Sequence, residues 1–283
     1  MTLGAPAMET RPVPWIGVAA LVAATASGIL FFRIGGAPGA YAVLNGLALL
    51  LGLAVISFAP RRMSARAAAW VVALGVTGIA ATLVTGFDLD GVRRWLPAGP
   101  VRLHAAMFFL PAIAVLIPQF PARTQLAVVI VLAAVFAIQP DFAAALALAA
   151  AFLFSRPGRN ELLVSAFGAT AVIAAITTTL LRPDPLAAVD FVERVVPDAF
   201  AINAMLGLLV GSALMLVCVA PLLVRAANPR AGRALAAVMA GFVLASIIGA
   251  YPVPLGGYGA SPILGYALGL ALLRAPIVPP KAG

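Results

Sequence analysis

Charge is scarce in this chain. Only 10% of its 283 residues are Asp, Glu, Lys or Arg, against 64% that are hydrophobic, and a soluble domain has too little interior to hide that much apolar surface. Composition therefore makes this an integral membrane protein. Strict period-two alternation is missing too, which argues against a membrane β-barrel and for helices. Cysteine occurs once, as Cys218 inside an apolar run, so no intrachain disulfide can form. Histidine also occurs once, and His104 has no carboxylate or thiolate neighbour in sequence to suggest a metal site. No linker, low-complexity tract or polar domain interrupts the chain, so residues 1–283 read as a single polytopic membrane domain. The net charge of +9 is spread in twos and threes beside apolar runs; that placement excludes nucleic acid as a partner and points to membrane lipids.

What is present is a series of apolar runs. They fall at about 14–33, 41–59, 66–86, 103–119, 124–139, 141–155, 160–181, 199–224, 231–250 and 261–275, most of them close to the ~20 residues that carry a helix across ~30 Å of hydrocarbon. The expectation is an all-α fold of ten transmembrane helices. The first run has small residues near Ala24 but continues through "GILFF" beyond a signal-peptide core, and it reads as a retained span. Loops kept in the cytoplasm carry excess Lys and Arg. With the N-terminus inside, the inner segments hold Arg11, Arg61, Arg62, Arg66, Arg123, Arg156, Arg159, Arg225, Arg230, Arg233, Arg274 and Lys281 against Glu9 and Glu161, a net +10, and the outer segments carry −1. Both termini are thus expected in the cytoplasm, with polar chemistry gathered on the outer side.

Four outer stretches stand out. In "GFDLDGVRRWLPAGPVRLH", residues 86–104, Arg93, Arg94 and Arg102 could clamp phosphate, or could snorkel to lipid headgroups while Trp95 joins the interfacial aromatic belt. In "FAIQPDFAAALALAA", residues 136–150, Gln139, Pro140 and Asp141 break the apolar sequence; Asp141 suits a helix cap, yet polar residues at membrane depth are also functional candidates. In "YPVPLGGYGASP", residues 251–262, Gly256, Gly257 and Gly259 around Tyr258 make either an anion-cradling loop or a plain turn. The fourth is "ERVVPDAFAINAML", residues 193–206, where Asp198 stands at the threshold of the eighth run. As a helix cap it would contribute about 1 kcal/mol.

Taken in order, these stretches resemble the SEDS family (shape, elongation, division and sporulation), ten-span polymerases of peptidoglycan glycan strands. Gly91, Arg94, Trp95, Gly99, Pro100 and Arg102 follow its "G…RW…LGP.R" stretch, and "QPD" at 139–141 matches the opening of "QPDLGT". Asp184 and Pro185 match a family "DP"; "PDAFAINAMLG", 197–207, is similar to "TDFIFAIIGEELG", and "VPLGGYGAS", 253–261, to "LPFISYGGSS". The resemblance implies a glycosyltransferase of the bacterial cytoplasmic membrane. An acceptor sugar hydroxyl would attack the anomeric carbon of a lipid-linked disaccharide-peptide, with inversion. Asp198 falls on the family's catalytic aspartate and would be the general base; Arg94, Trp95, Arg102, Gln139, Asp141, Tyr258, Gly259 and Ser261 would bind substrate. The departing pyrophosphate needs positive charge, from arginine or from Mg2+ or another divalent cation. A class B penicillin-binding transpeptidase is the partner implied.

The chain also departs from the pattern. Where the family has "QPSE" after its RW stretch, residues 103–106 read "LHAA"; "GYGASP" lacks two of its serines, and "AMLG" at 204–207 lacks its acids. A non-catalytic relative that binds lipid-linked precursor or scaffolds wall-synthesis partners is the alternative. A lipid flippase or transporter ranks below both, because no internal repeat is visible and the acids lie at the outer surface.

Overall fold

The structure is a computed structural model that describes residues 14–99, 101–155, 161–182, 184–224, 226 and 228–278. Pro100 of the RW stretch, and Glu9, Arg11, Arg156, Arg159, Arg225 and Lys281 of the charge pattern, lie outside the described residues. In chain order the elements are α1 (Trp15–Gly35), α2 (Gly39–Phe58), β1 (Met63–Ser64), α3 (Ala65–Thr85), β2 (Phe87–Leu89), β3 (Val92–Ala98), β4 (Val101–His104), α4 (Ala105–Leu116) with a 3-10 turn to Gln119, α5 (Ala122–Ile138), α6 (Phe142–Ser155), α7 (Leu162–Leu181), α8 (Val195–Ile202), α9 (Ala204–Leu223), α10 (Pro229–Ile248), α11 (Ala260–Leu273) and β5 (Ile277–Val278).

Each apolar run but the eighth becomes a single helix, and the helices are of two kinds. Among the described residues, α1, α2, α3, α7, α9 and α10 are long and apolar enough to cross a membrane, and four shorter apolar helices accompany them. At 1.5 Å per residue a helix of 14 residues covers about 21 Å, less than the ~30 Å hydrocarbon layer. The short ones have a different job. Nearly every residue of α4 and α11 and most of α6 are buried, whereas α2, α3 and α7 bury under a third of their spans. α4, α6 and α11, together with the long α10, sit at the centre, wrapped in protein, while α2, α3 and α7 form the apolar rim, where their exposed Leu, Val and Phe side chains suit lipid. The central helices meet through small residues. A Cβ on Gly241 of α10 would lie 2.5 Å from Ala147 Cα, so the α6 and α10 backbones touch only because that residue is glycine.

The first outer stretch is more structured than a loop. Asp90 and Gly91 both take positive φ, 51° and 84°, the geometry of a tight hairpin turn, and the Gly91 N–H donates to Asp88 Oδ1 at 2.8 Å. The result is a three-stranded antiparallel sheet in the order β2-β3-β4, with Trp95 opposite His104 and Pro97 opposite Arg102. At the other end of the bundle β1 pairs in parallel with β5, Met63 beside Ile277.

Two expectations need correction. The eighth run, 199–224, is not one helix: it breaks at Asn203 into α8 and α9. Asn203 is extended, and its side chain accepts the Met205 N–H at 2.7 Å, offering the backbone an Asn-capped start in place of continued helix. Asp198, expected as a cap, lies inside the first turn of α8, whose N-cap is Arg194. Its carboxylate reaches back to that arginine, Oδ1 to Nε 3.7 Å, with both side chains well exposed.

Candidate functional site

A cavity of about 590 Å³ opens where the sheet, the 184–194 loop and the glycine-rich loop converge, a volume within the usual range for small-molecule sites. Five residues expected from sequence line it: Trp95, Arg102, Tyr258, Gly259 and Ser261. Strand pairing accounts for two of them. On β3 and β4 it sets Trp95 and Arg102 at the cavity, and the Arg102 guanidinium stacks 3.5 Å above the Phe87 ring of β2, a cation–π contact that fixes its direction.

The glycine-rich loop is held rather than open. The Gly256, Gly257, Tyr258 and Gly259 N–H groups donate to Pro254 O, Val253 O, Phe191 O and Asn45 Oδ1. Asn45, from the second turn of α2, also donates to Gly257 O at 2.9 Å, bridging the loop from both sides. Because these N–H groups are already spent, the anion-cradle reading of Gly256, Gly257 and Gly259 does not hold; the loop is a scaffold. Its approach to the 191–193 segment requires glycine, since a Cβ on Gly257 would lie 2.6 Å from Val192 O. Tyr258 presents an aromatic face there, stacked 3.7 Å from Tyr41.

Arg94, Gln139 and Asp141 do not line the cavity. They form a buried polar network beside it. Arg94 donates through Nη1 to Asp184 Oδ2 at 2.5 Å and through Nη2 to Pro140 O at 2.6 Å, while its Nε faces Asp141 Oδ2 at 4.0 Å. Asp141 caps α6, its Oδ1 accepting the Ala144 N–H at 3.0 Å, so the capping reading is correct. Gln139 donates to Thr82. His104 joins the two regions: it lines the cavity, accepts the Met107 N–H on Nδ1, and turns Nε2 toward Asp141 Oδ2 at 3.7 Å. Burial pushes its pKa down, against the pull of Asp141, so the ring is neutral with its proton on Nε2. Ser261 accepts the His104 N–H at 2.8 Å, tying the start of α11 to β4.

Asp198 is not among the cavity-lining residues, but the first residue of the same stretch is. Glu193 lines the cavity at 8% exposure, with Oε2 accepting the Val189 N–H. Desolvation by burial lifts its pKa to about 7. Sequence reading missed Glu193, because in the chain it is one more acid in a charged loop. It also missed Asn45, an amide inside an apolar run that could have been flagged on cost alone. Among the described residues no three of His, Cys, Asp and Glu stand together to hold a metal ion.

No family model matches the chain. A probable peptidoglycan glycosyltransferase FtsW from Idiomarina loihiensis is 26% identical over 173 residues, which cover 53% of this chain; the match spans 41% of that relative's length. The Rod shape determining protein RodA of Thermus thermophilus superposes with a TM-score of 0.62 at 18% identity, over 95% of this chain and 97% of RodA. This chain has the fold of RodA. A chain of a peptidoglycan synthase complex shares this fold, with a TM-score of 0.59 at 18% identity over 92% of this chain. Within that fold, stretches far apart in sequence (the RW hairpin, "QPD", the "DP" loop and "GYGAS") converge at one end of the bundle.

Proposed function

We propose that this chain is a peptidoglycan glycosyltransferase that extends glycan strands from a lipid-linked disaccharide-peptide at the outer face of the bacterial cytoplasmic membrane. The observation that carries the reading is the cavity, on a SEDS fold, lined by Trp95, Arg102, Tyr258 and Ser261 from stretches that match the family in order. The chemistry suits the residues. An acceptor hydroxyl attacks the anomeric carbon, the bond to pyrophosphate breaks, and the lipid pyrophosphate leaves with the electron pair and needs no proton. One carboxylate taking the hydroxyl proton is then sufficient, a contribution of about 10²- to 10⁴-fold. The family motif gives this role to Asp198. Arg102 is the cavity arginine placed to offset pyrophosphate charge, since Arg94 already has Asp184 and Pro140 O as partners. Mg2+ or another divalent cation, brought with the substrate's own phosphates, stays within the proposal. A class B penicillin-binding transpeptidase as partner, and both termini in the cytoplasm, belong to the same proposal.

The test is direct. Purified chain receives fluorescent lipid-linked precursor with and without Mg2+, beside Asp198→Asn, and products are resolved by size. Polymer from the wild type is the expected result; none, even with a transpeptidase of that class present, rejects the reading. A second reading, a precursor-binding relative without catalysis, is favoured by the absence of Asp198 from the cavity wall, and precursor bound without polymer would establish it.

A further inference from the structure

We propose that Tyr258, backed by Tyr41, is a stacking platform for a sugar ring, through which the cavity tells a sugar-bearing lipid pyrophosphate from a bare one. The inference rests on the glycosyltransferase reading above and names the part of the substrate that one wall of the cavity takes. The pair binds; it has no part in the proton transfer.

The platform is assembled from separate elements. Tyr258 lines the cavity and Tyr41 does not; the Tyr41 ring lies behind it, with 3.7 Å between centroids and the planes within 11° of parallel. Aromatic pairs left to themselves prefer offset or edge-on arrangements at about 4.5–7 Å, so the surroundings set this pair face to face. Phe32 of α1 and Phe191 of the 184–194 loop meet the Tyr41 ring edge-on, at 6.2 and 6.5 Å and both at 79°. The Tyr258 backbone is held on both sides: its own N–H donates to Phe191 O at 2.8 Å, and the Gly259 N–H donates to Asn45 Oδ1 at 3.0 Å. Tyr41 and Asn45 stand one turn apart on α2, so a single helix face both pins the glycine-rich loop and backs its tyrosine.

A sugar suits this wall better than the other parts of the precursor do. A pyranose carries C–H bonds on its faces and hydroxyls around its rim, so it calls for a flat, electron-rich surface with polar groups at the edges. An aromatic face supplies the negative side of its quadrupole to those C–H bonds. Tyr258 offers such a face, and Ser261, His104 and Glu193 stand in the same cavity with oxygen and nitrogen atoms for the rim. A lipid chain would leave those polar groups without partners, and pyrophosphate calls for cationic charge, which Arg102 supplies. A stack with only a packing role would close inside the core, as Phe31 and Phe32 do at 2% and 1% exposure, whereas both tyrosines are only partly buried.

The experiment takes wild type, Tyr258→Leu, Tyr258→Phe and Tyr41→Leu as full-length purified chains carrying bound fluorescent precursor. Two competitors displace it: lipid pyrophosphate bearing the disaccharide without the peptide, and the same lipid pyrophosphate bare. The ratio of their affinities isolates the sugar. Tyr258→Leu is expected to lower the wild-type preference for the sugar-bearing lipid about 3- to 10-fold, with Tyr258→Phe within about twofold of wild type. Tyr41→Leu is expected to lower it in the same direction, and the affinity for bare lipid pyrophosphate should stay unchanged in all three. A folded Tyr258→Leu chain that keeps the wild-type preference overturns the proposal, as does one that loses affinity for both competitors equally, the mark of a packing or lipid-chain role. Should Tyr258→Leu fail to fold, Tyr41→Leu decides: a lowered preference supports the platform and an unchanged one overturns it. None of these results touches polymer formation by the wild type, on which the glycosyltransferase reading stands separately. A wild type that makes no polymer and shows no preference for the sugar-bearing lipid overturns both.

Discussion

Arg94 shows how one side chain can be read two ways and settled by its partners. Its two terminal nitrogens are committed to different acceptors, Asp184 and Pro140 O, at 4% exposure, so it braces the wall behind the cavity. Removing one partner leaves an unpaired buried charge, and Asp184→Ala is expected to cost about 3–5 kcal/mol, read as a lower unfolding midpoint in detergent. Arg94→Lys is expected to destabilise as well, because an ammonium cannot reproduce the fork. Arg102 is the contrasting case. Directed at the cavity and not tied to a carboxylate among the ion pairs of the described residues, its replacement in Arg102→Ala should leave stability nearly unchanged and weaken precursor binding about 10- to 100-fold, the equivalent of 1.5–3 kcal/mol. Glu193 also sets a pH dependence of stability. Its folded pKa, about 7, exceeds the ordinary 4.5, so between those values the folded chain holds a proton that the unfolded chain has released. Stability therefore falls as pH rises from about 4.5 to about 7, and levels above that. His104, with its lowered pKa, works in the opposite sense below about 6.5, where the unfolded imidazole protonates first. Comparing unfolding midpoints of wild type and Glu193→Gln across pH 5 to 8 isolates the Glu193 part, which should vanish in the variant.

At the scale of elements, the informative places are the junctions. Asn203 divides α8 from α9 by capping the second helix, so Asn203→Ala should lower stability by about 1 kcal/mol and let the two helices run together, visible as a rise in helical circular dichroism. Gly257 is a junction of another kind, where the glycine-rich loop meets the backbone of Val192. Gly257→Ala must push the 191–193 segment aside, and the expected outcome is a lower unfolding midpoint in detergent. The apolar runs foretold the helices because nothing but a helix satisfies that much backbone in lipid. They did not foretell the break at Asn203, since hydropathy averages over an amide that a local hydrogen bond turns into a cap.

For the whole molecule, orientation is the open physical question, and charge placement answers it with a testable expectation. On the charge pattern, Ser64, between α2 and α3, is expected on the inner side and Asp88, on the hairpin, on the outer side. In chains with Cys218 replaced by Ala, Asp88→Cys should react in intact cells with a membrane-impermeant thiol reagent, and Ser64→Cys should react only after the membrane is opened. Cavity residues such as Trp95, Arg102, Tyr258 and Ser261 were legible because they stand in polar interruptions of apolar sequence, where every residue must be explained by cost. By itself the sequence determined that the chain is a helical membrane protein, how many apolar segments it has, and which few stretches could carry chemistry, because hydrophobic length and charge placement act locally. Only the tertiary structure decided which of those residues meet. Arg94 and Asp184 are 90 positions apart and Asn45 and Gly257 are 212 apart, and nothing local says that either pair touches. The same holds for the two acids of "ERVVPDAFAINAML". Their chemistry differs because burial against distant loops makes Glu193 a weak acid inside a cavity and leaves Asp198 half-exposed beside an arginine.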